Sequence, residues 1–167
     1  MEFDGTASFV TVADSDQLDA GPELTLEAWI YPTVLGGYRV IVDKTTTGMP
    51  TNYYLAALGT EVAFGFNTGG WQEHITSGVN LVTEQWTHVA AVYSDAADRV
   101  WIYVGGVEVL SEVELASLSP NAEELRIGVG FPSEGFTGRI DEVRVYGRVL
   151  TQTEIEADRD TAVVPTP

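Results

Sequence analysis

The sequence has no cysteine among its 167 residues. This absence excludes disulfide bonds, a thiolate nucleophile and a zinc site built from cysteine ligands. The two histidines, His74 and His88, stand too far apart in the chain to form a zinc signature. His88 lies in an apolar stretch, and we expect it to be a hydrogen-bonded histidine of a β-strand rather than a ligand.

Basic residues are also scarce. Eight lysines and arginines face 25 aspartates and glutamates, which gives a formal net charge of −17, and Lys44 is the only lysine. A surface this acidic repels phosphate groups. The composition therefore argues against nucleic acid as a partner.

Long apolar runs are missing as well. None approaches the ~20 residues that a membrane-spanning helix needs, so we expect no membrane insertion. The first residues show no basic segment followed by an apolar one, and we therefore expect no signal peptide in the chain as printed. The length fits one domain with a sizeable core.

The apolar runs that are present are short, and glycine-rich turns separate them. This spacing is typical of an all-β sandwich or barrel. The predicted strands cover residues 8–12, 24–31, 38–43, 53–58, 62–66, 73–76, 87–93, 100–104, 108–113, 124–129 and 138–146.

One short helix is predicted near the C-terminus. Thr151 and Glu154 have the spacing of a capping box, in which the threonine caps the first turn and the glutamate returns a hydrogen bond. We expect the helix to end near Asp158 and to pack against the sandwich through Leu150 and Ile155. The final residues, 163–167, indicate the start of an extended Pro/Thr linker, so the domain is predicted to span residues 1–162.

The last predicted strand contains two adjacent acids, Asp141 and Glu142. Neighbouring side chains of a regular strand point to opposite faces, so one acid must face inward or lie at a rim unless the strand bulges. A carboxylate near a core is costly without a cation or several donors. Asp141 is therefore a candidate metal ligand. The alternative is that both acids lie at an exposed sheet edge and pair with Arg139 or Arg144.

A second candidate site lies around residues 67–74. This segment combines a tryptophan with amides and acids on glycine-rich turns, which are features of sugar-binding sites. The predicted ligand-binding residues are Trp71, Asn67, Glu73 and His74, joined by Lys44 and Tyr53. Tyr38, Arg39, Asn52 and Tyr54 are further residues that neighbouring strands could bring to the same place. The alternative is that Trp71 only caps the core.

The ordered set of motifs resembles the laminin-G-like, concanavalin A-like jelly-roll domains of bacterial multidomain proteins. The resemblance rests on Phe3-Asp4-Gly5, on residues 9–12, 24–30, 86–90 and 101–104, on the closing segment 136–146, and on the helix that follows it. It implies an all-β, two-sheet antiparallel jelly-roll sandwich with one short C-terminal helix, in which the first and last strands lie side by side.

The same resemblance implies a calcium ion near the junction of the terminal strands. Asp4 and Asp141 come from opposite ends of the chain, and Gly5 would offer a carbonyl oxygen. Calcium takes six to eight oxygen ligands, many of them carbonyls. An ion held there would stabilise only the folded state. The expected metal site is thus Asp4, Gly5 and Asp141, with Ca²⁺ as the cofactor.

The families that share this fold also include glycosidases, which would imply a catalytic function. The jelly-roll glucanases carry a Glu-x-Asp-x-x-Glu motif or a close variant on one strand, and no segment of this chain matches it. We therefore expect a non-enzymatic, calcium-stabilised carbohydrate-binding or adhesive module of a larger extracellular or cell-surface protein. We expect it to be monomeric, with a glycan or cell-surface ligand as its partner. A structural or protein-contact module without a glycan site is the alternative, and a catalytic domain is the less favoured one.

Overall fold

The computed structural model describes residues 1–44, 53–67, 70–130 and 134–161. Within them the chain forms two sheets and one helix. The strands are β1 (Glu2–Asp4), β2 (Val10–Val12), β3 (Glu23–Pro32), β4 (Tyr38–Lys44), β5 (Tyr53–Leu58), β6 (Glu61–Asn67), β7 (Trp71–Ile75), β8 (Thr87–Ser94), β9 (Arg99–Val104), β10 (Val107–Val113), β11 (Leu125–Ile127) and β12 (Thr137–Tyr146), and the helix is α1 (Gln152–Asp160).

Each sheet has six strands. The first has the order β1-β12-β3-β8-β9-β10 and the second β2-β11-β4-β5-β6-β7. Neighbouring strands in both sheets pair antiparallel. The predicted two-sheet antiparallel jelly-roll sandwich is therefore confirmed. The terminal strands also lie side by side, because β1 pairs with β12 through Phe3 and Gly138.

The hydrophobic core fills the space between the two sheets. Strand β3 shows why, because its alternate residues Leu24, Leu26, Ala28 and Ile30 are all buried and belong to the core. A buried leucine or isoleucine contributes about 1.5–3 kcal/mol relative to an exposed one. The inner faces of β5, β6 and β8 complete this core in the same way.

Strand β12 bulges where the two adjacent acids lie. Its register with β3 shifts between Asp141 and Arg144, and Glu142 has a φ of 50°. The bulge removes the conflict that the sequence raised, since Asp141 is exposed and Glu142 accepts a hydrogen bond of 3.0 Å from Arg144 Nη2. For Glu142 the pairing with Arg144 is the alternative that the sequence analysis left open.

The helix begins as predicted. Thr151 is its N-cap, and both hydrogen bonds of the capping box with Glu154 are present. It ends at Asp160, two residues beyond the predicted end. Leu150 and Ile155 pack against Ala90 and Val92 on the outer face of the first sheet. No helix in the described part of the chain is long and apolar enough to cross a membrane. The predicted linker, 163–167, lies outside the described residues.

Candidate functional site

A pocket of about 340 Å³ lies on the outer face of the second sheet. Its described lining residues are Tyr38, Val40, Asp43, Tyr54, Trp71, Glu73, Gly130 and Glu134. Strand alternation brings the aromatic residues there. In β5, Tyr53 and Leu55 face the core between the sheets, whereas Tyr54 and Ala56 belong to a separate cluster on the outer face.

A glycine leaves room for the Tyr54 ring that lines this pocket. Gly65 of β6 pairs with Tyr54 on one side and Glu73 on the other. A Cβ atom at position 65 would lie 2.5 Å from Cε1 of the Tyr54 ring. Because Gly65 has no side chain, the Tyr54 ring can lie across β6 towards β7.

Three aromatic rings form the wall of the pocket. The centroids of Tyr54 and Trp71 lie 5.9 Å apart with an interplanar angle of 68°. Those of Tyr38 and Tyr54 lie 6.3 Å apart at 76°. Both geometries are edge-to-face arrangements, which are favourable for aromatic pairs. Trp71 keeps 44% of its surface exposed, so a ligand can reach its ring.

Glu73 fixes the two tyrosines. Its Oε1 accepts a hydrogen bond of 2.7 Å from the Tyr38 hydroxyl and a second, short one from the Tyr54 hydroxyl. Burial, with the hydrogen bond to Glu73 adding to it, raises the pKa of Tyr38 to about 12 and moves that of Tyr54 further in the same direction. Both phenols therefore stay protonated at neutral pH and serve as donors to the carboxylate.

The charge of the pocket has one sign. Asp43, Glu73 and Glu134 line it, and its described lining includes no lysine, arginine or histidine. Trp71 and Glu73 are predicted ligand residues that the structure brings together, with Tyr38 and Tyr54 beside them. Asp43 and Glu134 were not predicted to line the pocket. Neither carries a sequence signal, because an acid at a strand end or in a turn is ordinary surface composition.

Lys44 and Tyr53 do not reach this pocket, and their predicted place in it is corrected. Lys44 is fully buried, and its Nζ contacts Asp14 Oδ1 at 2.8 Å and Asp19 Oδ1 at 3.0 Å. Tyr53 lies in the core and donates its hydroxyl to the Leu18 carbonyl. The two residues pair across β4 and β5 and face inward, so they hold the fold together.

His74 and Asn67 also lie away from the pocket lining. His74 is buried, and its two ring nitrogens lie 2.8 Å from Glu112 Oε2 and 3.0 Å from Glu114 Oε2. These contacts join the edge of the second sheet to β10 and the segment after it. Asn67 is buried opposite Trp71. Asn52 lies outside the described residues, and Arg39 donates to the Tyr38 carbonyl without lining the pocket.

The acids proposed for calcium do not meet. Asp4 pairs with Thr137, whereas Asp141 lies four residues further along β12, opposite Trp29. Four strand residues span about 13 Å. A single ion at 2.3–2.6 Å from both carboxylates would need them much closer. The expectation that Asp4 and Asp141 clasp one ion is therefore corrected.

Backbone donors satisfy Asp4 instead. Its Oδ1 accepts hydrogen bonds from the amides of Thr6, Ala7 and Ser8 at 2.9, 2.8 and 3.0 Å. These bonds, that from Ala7 first, hold the pKa of Asp4 well below its usual range. Gly5 follows in the turn with a φ of 80°. Across the described ranges, no three histidines, aspartates or glutamates are placed to hold a metal. Calcium binding stays a prediction.

A second polar cluster is buried on the outer face of the first sheet. Glu27 and His88 are 0% and 1% exposed, and their carboxylate oxygens and ring nitrogens find no hydrogen-bond partner in the part of the chain described. His88 lies in strand β8 as expected, but no described side chain or backbone group hydrogen-bonds its ring. Burial, with the charge of Asp158 adding, raises the pKa of Glu27 to about 8, although Arg144 opposes the rise. Burial lowers the pKa of His88 to about 4.

Comparison with known families identifies the superfamily to which this architecture belongs. The family model described as the concanavalin A-like lectin/glucanases superfamily matches residues 4–156. The chain belongs to this superfamily. None of the curated proteins matches it.

Solved structures share the superfamily fold at low sequence identity. The binding domain of Paraclostridial Mosquitocidal Protein 1 has a TM-score of 0.75 at 15% identity, over 95% of this chain and 42% of that one. Domain 4 of AbnA, a GH43 extracellular arabinanase from Geobacillus stearothermophilus solved with arabinotriose, has 0.74 at 20% identity, over 95% and 75%.

A third structure is covered almost completely. The CBM40 of Ruminococcus gnavus IT-sialidase, bound to α2,3 sialyllactose, has a TM-score of 0.70 at 14% identity, over 90% of this chain and 95% of that one. The chain thus spans less than half of the toxin binding domain but nearly the whole length of this module. Identities this low show the fold alone.

Proposed function

We propose that this domain is a non-catalytic carbohydrate-binding module whose site is the pocket formed by Tyr38, Tyr54, Trp71 and Glu73. The observation that carries the proposal is the partly exposed Trp71 ring above a carboxylate that two tyrosine hydroxyls hold in place. Sugar rings present an apolar face to aromatic side chains and hydroxyls to fixed polar groups. Strand β7 alone supplies both kinds of group to the pocket, the aromatic ring of Trp71 and the carboxylate of Glu73.

The volume and shape of the pocket agree with this function. A cavity of about 340 Å³ lies within the range of small-ligand sites. Strands rather than loops position Tyr38, Tyr54, Trp71 and Glu73, so the site is largely preformed. Among similar folds, the arabinanase domain and the sialidase module were solved with bound oligosaccharides, which supports the same role here.

Binding is favoured over catalysis by the state of Glu73. A glycosidase needs one carboxyl group that delivers a proton to the leaving oxygen and a second one that acts as nucleophile or base. Glu73 accepts hydrogen bonds from two neutral phenols, so its Oε1 is engaged as an acceptor. We propose that the module serves a larger extracellular or surface protein, as the AbnA domain belongs to an extracellular enzyme.

A glycan array of the purified domain tests the proposal. We expect binding to a restricted set of glycans, with loss of the signal in Tyr38→Ala, which removes one wall of the pocket. If the folded domain binds no glycan on the array and hydrolyses no polysaccharide, the proposed carbohydrate-binding function is overturned. Hydrolysis by the isolated chain would instead support the catalytic alternative.

A protein-contact function is the second candidate, because an edge strand exposes apolar side chains. Val107, Val113 and Leu115, in and after β10, are 59%, 62% and 74% exposed. Exposed apolar groups on a sheet edge can pair with another chain. An array without binding, combined with dimerisation that Val113→Lys abolishes, would favour this function.

A further inference from the structure

The pocket is charged as well as aromatic, and its charge distinguishes among glycans. Asp43, Glu73 and Glu134 line it, whereas its described lining carries no cationic side chain. The whole chain has a formal charge of −17, so the surrounding field has the same sign. Such a field raises the local concentration of cations and repels anionic sugars such as uronates, sialates and sulfated residues.

The rings add an independent attraction for positive charge. The faces of tryptophan and tyrosine are electron-rich and attract an ammonium group within about 6 Å of the ring centroid, tryptophan most strongly. Trp71 lies at the open side of the pocket, and Tyr54 is packed edge-to-face against it. Ring and carboxylate lie on the same strand, since Trp71 and Glu73 are alternate residues of β7.

We infer that the pocket prefers glycans that carry a protonated amino group, such as β-1,4-linked glucosamine oligomers. This inference rests on the proposed carbohydrate-binding function. A glucosamine ring presents its apolar face to Trp71 while its ammonium group lies near the carboxylates of Glu73 and Glu134. N-acetylation keeps the ring and removes the charge, so the acetylated oligomer loses the electrostatic part of the interaction.

Three oligomers with the same β-1,4 backbone test the inference by isothermal titration calorimetry. They are the glucosamine hexamer, its fully N-acetylated counterpart and cellohexaose. At pH 5.5 and low salt we expect the glucosamine hexamer to bind about tenfold more tightly than the other two, which corresponds to ~1.4 kcal/mol. At pH 9, where the amino groups lose their protons, this advantage should disappear while the affinity for the neutral oligomers stays unchanged.

Variants separate the pocket from the general acidity of the surface. Glu134→Gln removes one charge from the pocket, and Glu108→Gln removes one from exposed β10 on the other sheet. We expect the first to reduce glucosamine affinity about threefold or more, and the second to leave it nearly unchanged. Trp71→Ala should abolish the preference.

The outcomes distinguish the two proposals. Equal binding of charged and neutral oligomers overturns the preference and leaves carbohydrate binding standing. Glucosamine binding that Trp71→Ala and Glu134→Gln do not weaken is adsorption to the acidic surface, and it also overturns the preference. Failure of all three oligomers, with a silent glycan array, overturns the proposed function itself.

Discussion

The Tyr38 hydroxyl donates a hydrogen bond of 2.7 Å to Glu73 Oε1, although their strands, β4 and β7, are separated by β5 and β6. The bond crosses the outer face of the sheet beside Tyr54, whose hydroxyl donates to the same oxygen. Gly65 leaves room for the Tyr54 ring, because a Cβ atom at this position would clash with it. The carboxylate and both phenols therefore behave as one unit, and substitutions in any of them should disturb the pocket.

Tyr54→Phe tests this unit. The change keeps the ring and removes one of the two donors to Glu73, so we expect a loss of about 1–2 kcal/mol in the free energy of unfolding and a weaker ligand affinity. Urea denaturation measures the first effect. Tyr31→Phe on the other sheet is the matched control, with an expected change below ~0.5 kcal/mol. Equal effects of the two substitutions would contradict the role of the Tyr54–Glu73 bond.

Lys44→Met should destabilise the domain without changing ligand binding. The Lys44 ammonium group is fully buried among Asp14, Asp19 and Asn121, and its removal leaves two acids facing each other. Because both acids are partly exposed, we expect a loss of about 1–3 kcal/mol rather than the larger cost of a buried unpaired charge. A drop in glycan affinity with unchanged stability would show instead that Lys44 contacts the ligand.

Stability should fall as the pH rises from 6.5 to 8, because of Glu27. In this range folded Glu27, whose pKa is about 8, still holds its proton, whereas the unfolded chain with an ordinary pKa of 4.5 has lost it. The folded state then binds more protons, so the free energy of unfolding decreases with pH. His88 opposes this trend only near pH 6.5, where the unfolded imidazole with its ordinary pKa of 6.5 is still half protonated, whereas the folded one, with a pKa of about 4, is neutral. One group that loses half a proton cannot reverse the effect of Glu27, which holds a whole one in the folded state.

Glu27→Gln isolates this effect. The amide imitates the neutral acid, so the variant should be about as stable as the wild type near pH 4, below the unfolded pKa of 4.5, and more stable by at least about 1 kcal/mol at pH 8.5. Chemical denaturation at both values measures the difference. Parallel pH profiles for the two proteins would show that Glu27 titrates normally, despite its burial beside Asp158 and Arg144.

Calcium binding is tested by thermal unfolding with and without a chelator. If calcium binds, we expect the melting temperature to fall when EDTA is added and to recover with Ca²⁺. An ion bound only to the folded state stabilises that state by mass action. Asp4 in β1 pairs with Thr137, which lies about 13 Å along β12 from Asp141, so the two acids should not act together. If a site includes Asp141, Asp141→Ala abolishes the response and Asp4→Asn retains it. An unchanged melting temperature in the presence of EDTA would contradict the prediction.

The sheet architecture could be predicted because turns and apolar alternation are local signals. Strand β3 and the capping box of Thr151 and Glu154 appeared in the sequence much as they lie in the structure. Strand β1 was missed, since three residues carry no periodicity and depend on pairing with β12 at the far end of the chain. The bulge at Glu142 likewise depends on tertiary pairing.

The site was predictable only in part, because alternation does not say which face of a strand meets the core. Tyr53 and Tyr54 are adjacent and chemically identical, yet Tyr53 lies in the core and Tyr54 in the pocket. Glu73 and His74 are likewise adjacent in β7, yet Glu73 lines the pocket and His74 contacts Glu112 and Glu114. The sequence named a segment that contributes Trp71 and Glu73 to the pocket, but packing of the second sheet against the first decided which residues of the segment face it.

The most direct test compares two exposed tryptophans. Trp71 in the pocket and Trp86 near the first sheet expose 44% and 39% of their surfaces, so their alanine variants remove similar aromatic groups. Titration calorimetry with the strongest ligand from the glycan array should show at least a tenfold loss of affinity for Trp71→Ala and little change for Trp86→Ala, with both variants folded by circular dichroism. Full affinity in Trp71→Ala would contradict the proposal that this pocket binds carbohydrate.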